Sequence, residues 1–293
     1  MVYLILCVLS STGIFLVFRF LDQHRLPSFP VIIINYLVAA VIGITVNSDQ
    51  IDISRLMASP WIPVSVLIGF LFIVMFFVIA RSSGEAGISI TTVASKMSVV
   101  FPISFSIFID HTDNLSWVKA LAIIAALTGV LMTIYEPGTS LKAKRKMFIP
   151  LVLFVGMGLV DSLVRFAQHN WVRDENTAIF SAVLFIMAFL TGLVILPFRK
   201  RGLSEFRKPA IWGWGILLGI VNFGSIYMIV SALNHVNDAG EKLDGSIVFG
   251  VNNIGIVSLS VLAGLWIFRE KLHRINWAGI IISAIAIILF SFS

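Results

Sequence analysis

The sequence predicts an all-α integral membrane protein, with ten transmembrane helices in two inverted five-helix repeats. Three observations predict it. Apolar residues fall into ten blocks, each close to the roughly 20 residues that a bilayer core requires. The chain is 58% hydrophobic and only 12% charged, with a mean hydropathy of +1.00. Its Lys and Arg residues concentrate in alternate loops.

The first block, 2–20, has neither a basic leader nor a small-residue cleavage site, so it reads as a span and not as a signal peptide. The second, 28–46, holds Asn35 and Tyr36 near its middle, and the third, 61–81, opens on Trp61. The fourth, 88–109, contains Lys96, and Pro102 six residues later predicts a kink that frees backbone carbonyls. The fifth, 116–135, follows Asp113-Asn114-Leu115, and the sixth, 148–168, carries Asp161 and Arg165. The seventh spans 177–197. The eighth, 211–233, contains Gly215, Gly219, Asn222 and Tyr227. The ninth, 245–268, carries Asn252 and Asn253, and the tenth, 275–292, follows Glu270-Lys271-Leu272. Seven tryptophans lie at or just beyond span ends, the expected place for amphipathic rings at a membrane interface.

Fifteen Lys and Arg residues fall in the odd-numbered loops, and four (Arg55, Lys119, Arg173 and Lys242) fall on the side of the termini. The positive-inside rule then places the odd loops in the cytoplasm and both termini on the outer side of a cell membrane, inner or plasma. The basic stretch 137–147 divides the chain into five-span halves, 1–136 and 148–293. Because five is odd, similar halves must be inverted, the plan of many secondary transporters. At an offset of 157 residues Asp113 aligns with Glu270, Leu115 with Leu272, Ala122 with Gly279, Gly129 with Ala286, and Lys96 with Asn253. Phe18-Arg19-Phe20 likewise resembles Val164-Arg165-Phe166.

An acidic residue before the last helix of each half, followed by a glycine, resembles the drug/metabolite transporter superfamily, its EamA-type ten-helix members in particular. Glu270, Leu272 and Gly279 fit that pattern. Asp113 and Leu115 fit it with Asp for Glu, and Ala122 replaces the glycine. The resemblance implies a central cavity lined by spans three, four, eight and nine. It also implies export of small polar metabolites such as amino acids or organic anions by alternating access, with no cofactor.

Walker, dinucleotide-binding, zincin and EF-hand motifs are absent, and the five histidines lack metal-ligand spacing. No enzyme activity, metal or nucleic-acid partner is expected. The expected partners are a small solute and the lipid bilayer, and a homodimer is compatible with the chain. The alternative is a membrane-embedded enzyme acting on a lipid or isoprenoid. Its acids would come from Asp110, Asp113, Asp238, Glu241 and Asp244, which read more simply as a solvated outer surface.

Ionisable groups inside a membrane each need an account. Asp161 and Arg165, four apart on one helix face, predict a structural ion pair; the other reading makes Asp161 a proton carrier. Lys96 has no partner within its own span. It either docks an anionic group from a water-filled cavity, exchanges a proton during a cycle, or pairs across helices with Asp161 or Glu85. Asn253, Asn222 and Tyr227 complete the predicted solute-binding set, against the commoner role of amides as links between helices.

Overall fold

The computed structural model describes residues 2–46, 59–109, 116–138, 140–172, 177–199, 202–234 and 245–291. Regular structure among them is entirely helical: α1 (Val2–Gln23), α2 (Ser28–Val46), α3 (Ile62–Glu85), α4 (Ile88–Met97), α5 (Val100–Ile109), α6 (Trp117–Ile134), α7 (Leu141–Trp171), α8 (Thr177–Ile195), α9 (Pro209–Asn234), α10 (Gly245–Trp266) and α11 (Arg274–Ser291). Nine of these helices are long and apolar enough to cross a membrane, counting the described residues alone. That is the profile of a multi-pass membrane protein. Large apolar side chains cover the outer surface, as Leu131 (62% exposed) and Val194 (67%) show.

The block 88–109 is the exception. It keeps its expected ends but breaks into two helices of 10 residues each, α4 and α5. The break falls at Ser98–Val99, four residues before Pro102. Proline has no N–H to offer the carbonyl of residue i−4, and its ring clashes with that carbonyl. Residue i−4 is Ser98. Its carbonyl instead accepts from the Phe101 N–H, at 2.9 Å, in a tighter turn.

The stretch 137–147 also departs from expectation. It reads as a connecting loop, yet helix α7 already begins at Leu141. Lys, Ala and Arg are good helix formers, and no breaker lies between Leu141 and Phe148. The Lys146 ammonium donates to Glu136 Oε1 at 2.9 Å.

Packing follows two cores. Phe18, Leu21, Ile32, Ile34 and Tyr36 are fully buried where α1, α2, α3, α8 and α9 meet. Val93, Met97, Val130 and Ile287 anchor a second cluster among α4, α6, α10 and α11. Helices pair as α1–α9, α3–α7, α2–α9, α3–α8, α2–α8, α1–α3, α4–α10, α1–α10, α4–α7 and, most extensively, α6–α11. At this last seam a Cβ added to Gly279 would collide with the Thr133 backbone nitrogen, and one added to Gly129 would lie 2.8 Å from the Ser283 nitrogen. Asn276 fastens the same seam. Its amide donates to the Thr133 and Tyr135 carbonyls at 2.8 Å each, and its oxygen accepts from the His273 N–H at 2.8 Å. One side chain thus closes the end of α6 and the start of α11.

The tryptophans divide. Trp117 (88% exposed) and Trp266 (77%) lie at the surface near helix ends. Trp61 is instead buried edge-on against Phe180, and Trp214 stacks on Phe20.

Candidate functional site

The interior polar cluster forms at the α4/α5 break. Lys96 occupies the last turn of α4 and is half-buried. The carbonyl end of a helix favours a cation, so the short helix itself helps to hold this charge. Ser98, at the C-terminal boundary of α4, is buried. Its hydroxyl Oγ lies 2.6 Å from the Ser95 carbonyl and 3.0 Å from Asp161 Oδ2 on α7. Lys96 lies within electrostatic reach of the Asp161 carboxyl and of the Cys7 thiol on α1. The Cys7 thiol in turn donates to the Ser225 carbonyl of α9 at 3.2 Å. Asp161 of α7 therefore meets the break directly, and α1 brings the Cys7 thiol within electrostatic reach of it, an arrangement chemically suited to hold an anionic group or to exchange a proton.

The expected Asp161–Arg165 ion pair is not formed. Among the described residues Asp161 takes its hydrogen bond from Ser98, while Arg165 is exposed and makes no ion pair within 4 Å. Spacing along a helix allows the pair, but Asp161 is half-buried and bonded to Ser98 of α4 while Arg165 is exposed. Glu85, the other partner considered for Lys96, bonds Arg81 at 3.0 Å.

The remaining predicted residues separate from this cluster. Asn222 is buried and joined to Asn35 of α2, with 3.1 Å between the two amides. That is a helix–helix link, the commoner role of an intramembrane amide. Tyr227 is 44% exposed and stacks on Phe223 with ring centroids 5.7 Å apart. Asn253 is half-buried on α10, and the neighbouring Asn252 has a buried Oδ1 without a hydrogen-bond donor. Asp110, Asp113, Asp238, Glu241 and Asp244 lie outside the described residues.

A second cluster lies at the end of the molecule where the odd loops meet. Glu270 caps the start of α4: its carboxylate accepts from the Ile88 N–H (2.6 Å), the Ser89 N–H (3.2 Å) and the Ser89 hydroxyl (2.7 Å). A carboxylate is favoured there by the free N–H groups and the helix dipole. Arg19 sits 4.0 Å from the same carboxylate. Its guanidinium also donates to the Ser83 and Gly84 carbonyls, at 2.9 Å each, near the end of α3. The chain delivers Glu270 through a left-handed turn at Arg269 (φ 53°), after which the Glu270 N–H donates back to the Gly264 carbonyl at 2.8 Å. Nearby, a cleft of about 620 Å³ is lined by Asp22, Arg25, Arg81, Glu85, Glu205 and Lys208 among others. From the sequence, Ser98 reads only as a small residue for tight helix packing, and Arg19 only as part of the repeat and of the cytoplasmic charge. The signal for Ser98 was Pro102 four residues on; nothing local marks Arg19.

No family model matches the chain. It is 27% identical, over 227 residues, to an uncharacterized protein of Haemophilus influenzae, covering 77% of this chain and 74% of that protein. A solved crystal structure of a protein superposes with a TM-score of 0.54 at 18% identity, covering 98% of this chain and 99% of the other. That likeness concerns the fold alone.

Proposed function

We propose that this protein is a secondary transporter of small polar metabolites, amino acids or organic anions, working by alternating access between two inverted five-helix halves. The observation that carries the reading is Lys96. It is a cation without an ion-pair partner within 4 Å among the described residues, held at the broken middle of a segment with no other charged residue and packed among other helices. Discontinuous helices are the usual means by which transporters present charge near the midplane. The drug/metabolite transporter resemblance rests on Glu270, Leu272 and Gly279.

The helix pairing supports the inverted halves. Exchanging α1 with α7, α2 with α8, α3 with α9, α4–α5 with α10, and α6 with α11 turns α1–α9 into α7–α3. It turns α2–α9 into α8–α3 and α1–α10 into α7–α4, and it leaves α2–α8, α4–α10 and α6–α11 unchanged, whereas α1–α3 has no comparable image in α7–α9 among the described residues. In this reading the end that carries Glu270 and the mixed-charge cleft is cytoplasmic, and the direction of transport is export. Lys96 docks the solute carboxylate, with Asn253, 157 residues on, its counterpart in the second half.

The test is thermal stabilisation of the purified protein by a panel of amino acids, organic anions and amines. Ligands that bind only the folded state raise its stability by mass action. Carboxylates should stabilise the wild type and not Lys96→Ala. An identical response of the two proteins would remove Lys96 from the site. Metal-dependent turnover of lipid would favour a membrane-embedded enzyme instead.

A further inference from the structure

The Ser98 hydroxyl has one proton but two acceptors within reach: the Ser95 carbonyl at 2.6 Å and Asp161 Oδ2 at 3.0 Å. If Asp161 is ionised, it can only accept. Ser98 must then choose, and one of the two contacts is no longer a full hydrogen bond. If Asp161 carries a proton, both contacts are satisfied at once. The carboxyl O–H donates to Ser98 Oγ, and Ser98 donates to the Ser95 carbonyl. We propose that Asp161 is a proton-binding site, and that Ser98 transmits its protonation state to the α4/α5 break.

The surroundings favour this reading. Asp161 lies on α7, which packs against α3, α4, α5 and α6. Lys96 of α4 is the charged group that acts on Asp161, and Ser98 is its hydrogen-bond partner. Neighbouring contacts along α7 are apolar: Gly156 faces Met75 of α3, and Gly158 faces Phe101 of α5. Arg165, on the same helix, is exposed. Cys7 of α1, which bonds the Ser225 carbonyl, lies within electrostatic reach of Lys96.

Two states follow. In the protonated state the relay from Asp161 to Ser98 to Ser95 closes the break and leaves Lys96 free to bind an anion. In the deprotonated state Ser98 turns to the carboxylate, the Ser95 carbonyl loses this donor, and Asp161 competes with the solute for Lys96. The proton comes from water and returns to water; no covalent bond to carbon forms or breaks. This inference rests on the transporter reading for its purpose, and it makes the proton the coupling ion.

The experiment is an infrared pH titration of the protein in liposomes, without any solute. A carbonyl-stretch band of a protonated carboxyl should disappear as pH rises, and it should be absent in Asp161→Asn. In Ser98→Ala the band should persist and move to higher wavenumber, because the carboxyl loses its acceptor. Hydrogen exchange of the segment 98–103, corrected for intrinsic rates, should change with pH in the wild type and not in Asp161→Asn or Ser98→Ala, while the segment 31–40 of α2 stays constant in all three. Asparagine is isosteric with the protonated acid and keeps a donor for Ser98, so that variant should fold. A titrating band that survives Asp161→Asn, one that Ser98→Ala leaves unmoved, or equal exchange behaviour in all three proteins would overturn the proposal. These readouts need no transported compound. They can fail while solute binding at Lys96 stands, and binding can fail while they succeed.

Discussion

Glu270 Oε1 accepts the Ile88 backbone N–H at 2.6 Å, so a residue 182 positions away caps the half-helix that carries Lys96. The contact joins the segment before α11 to the start of α4. In the proposed mechanism it is a bond between halves, and it must break whenever that end of the molecule opens.

Two glycines make room for it. Gly87 has φ +96°, and an added Cβ would lie 2.6 Å from Glu270 Oε1; a Cβ on Gly264 would lie 2.5 Å from Oε2. Gly87→Ala should destabilise the protein by about 1–3 kcal/mol, the usual cost of a strained backbone position. Glu270→Ala removes a cap and leaves Arg19 with Asp22, at 3.3 Å, as its remaining carboxylate, which should cost about 1–2 kcal/mol. Thermal unfolding in detergent checks both. A Glu270→Ala variant as stable as wild type would mean that solvent replaces the cap without loss.

Asn222 and Asn35 give a sharper contrast with the sequence expectation. Their amide contact should show a coupling of about 0.6 kcal/mol in a double-mutant cycle, typical of intramembrane hydrogen bonds. Asn222→Ala should therefore lower stability and leave solute affinity unchanged. A selective loss of binding with intact stability would return Asn222 to the solute site.

The α6–α11 seam predicts another outcome. Asn276→Ala strips four hydrogen bonds, three of them at 2.8 Å, from two helix ends, and buried backbone carbonyls left without donors cost about 1–3 kcal/mol. Gly279→Leu should be worse, because the Thr133 backbone cannot yield as a side chain would. Melting temperatures of the two variants, ranked against wild type, measure this. Gly279→Leu as stable as wild type would show that the helices separate without loss.

Orientation follows from the charge distribution. Lys208, exposed in the segment before α9, should react with a membrane-impermeant thiol reagent from the cytoplasmic face when replaced by cysteine in a Cys7→Ala background. Labelling from the outside would invert the topology and, with it, the direction of transport proposed here.

Hydropathy made the helices legible because apolar length is a local property: Ser28–Val46 emerged with the expected ends, and most of the others shifted by a few residues. The site was less legible because its bonds are not local. Pro102 suggested a kink, but its steric effect acts four residues back, at Ser98. The Asp161–Arg165 spacing permitted a pair that the packing of α7 against α4 does not allow. The Asn222–Asn35 contact bridges 187 positions and leaves no trace in either neighbourhood. Glu270 was visible as part of a motif, whereas its purpose appears only once α4 is seen to begin beneath it.

In the transporter reading Lys96 docks a carboxylate at the α4/α5 break. The most direct measurement is equilibrium binding of amino acids and their methyl esters to the wild type, Lys96→Arg and Lys96→Ala. Wild type should bind the acid and not the ester, Lys96→Arg should keep part of this preference, and Lys96→Ala should lose it. Equal affinity of Lys96→Ala for the free acid would contradict it.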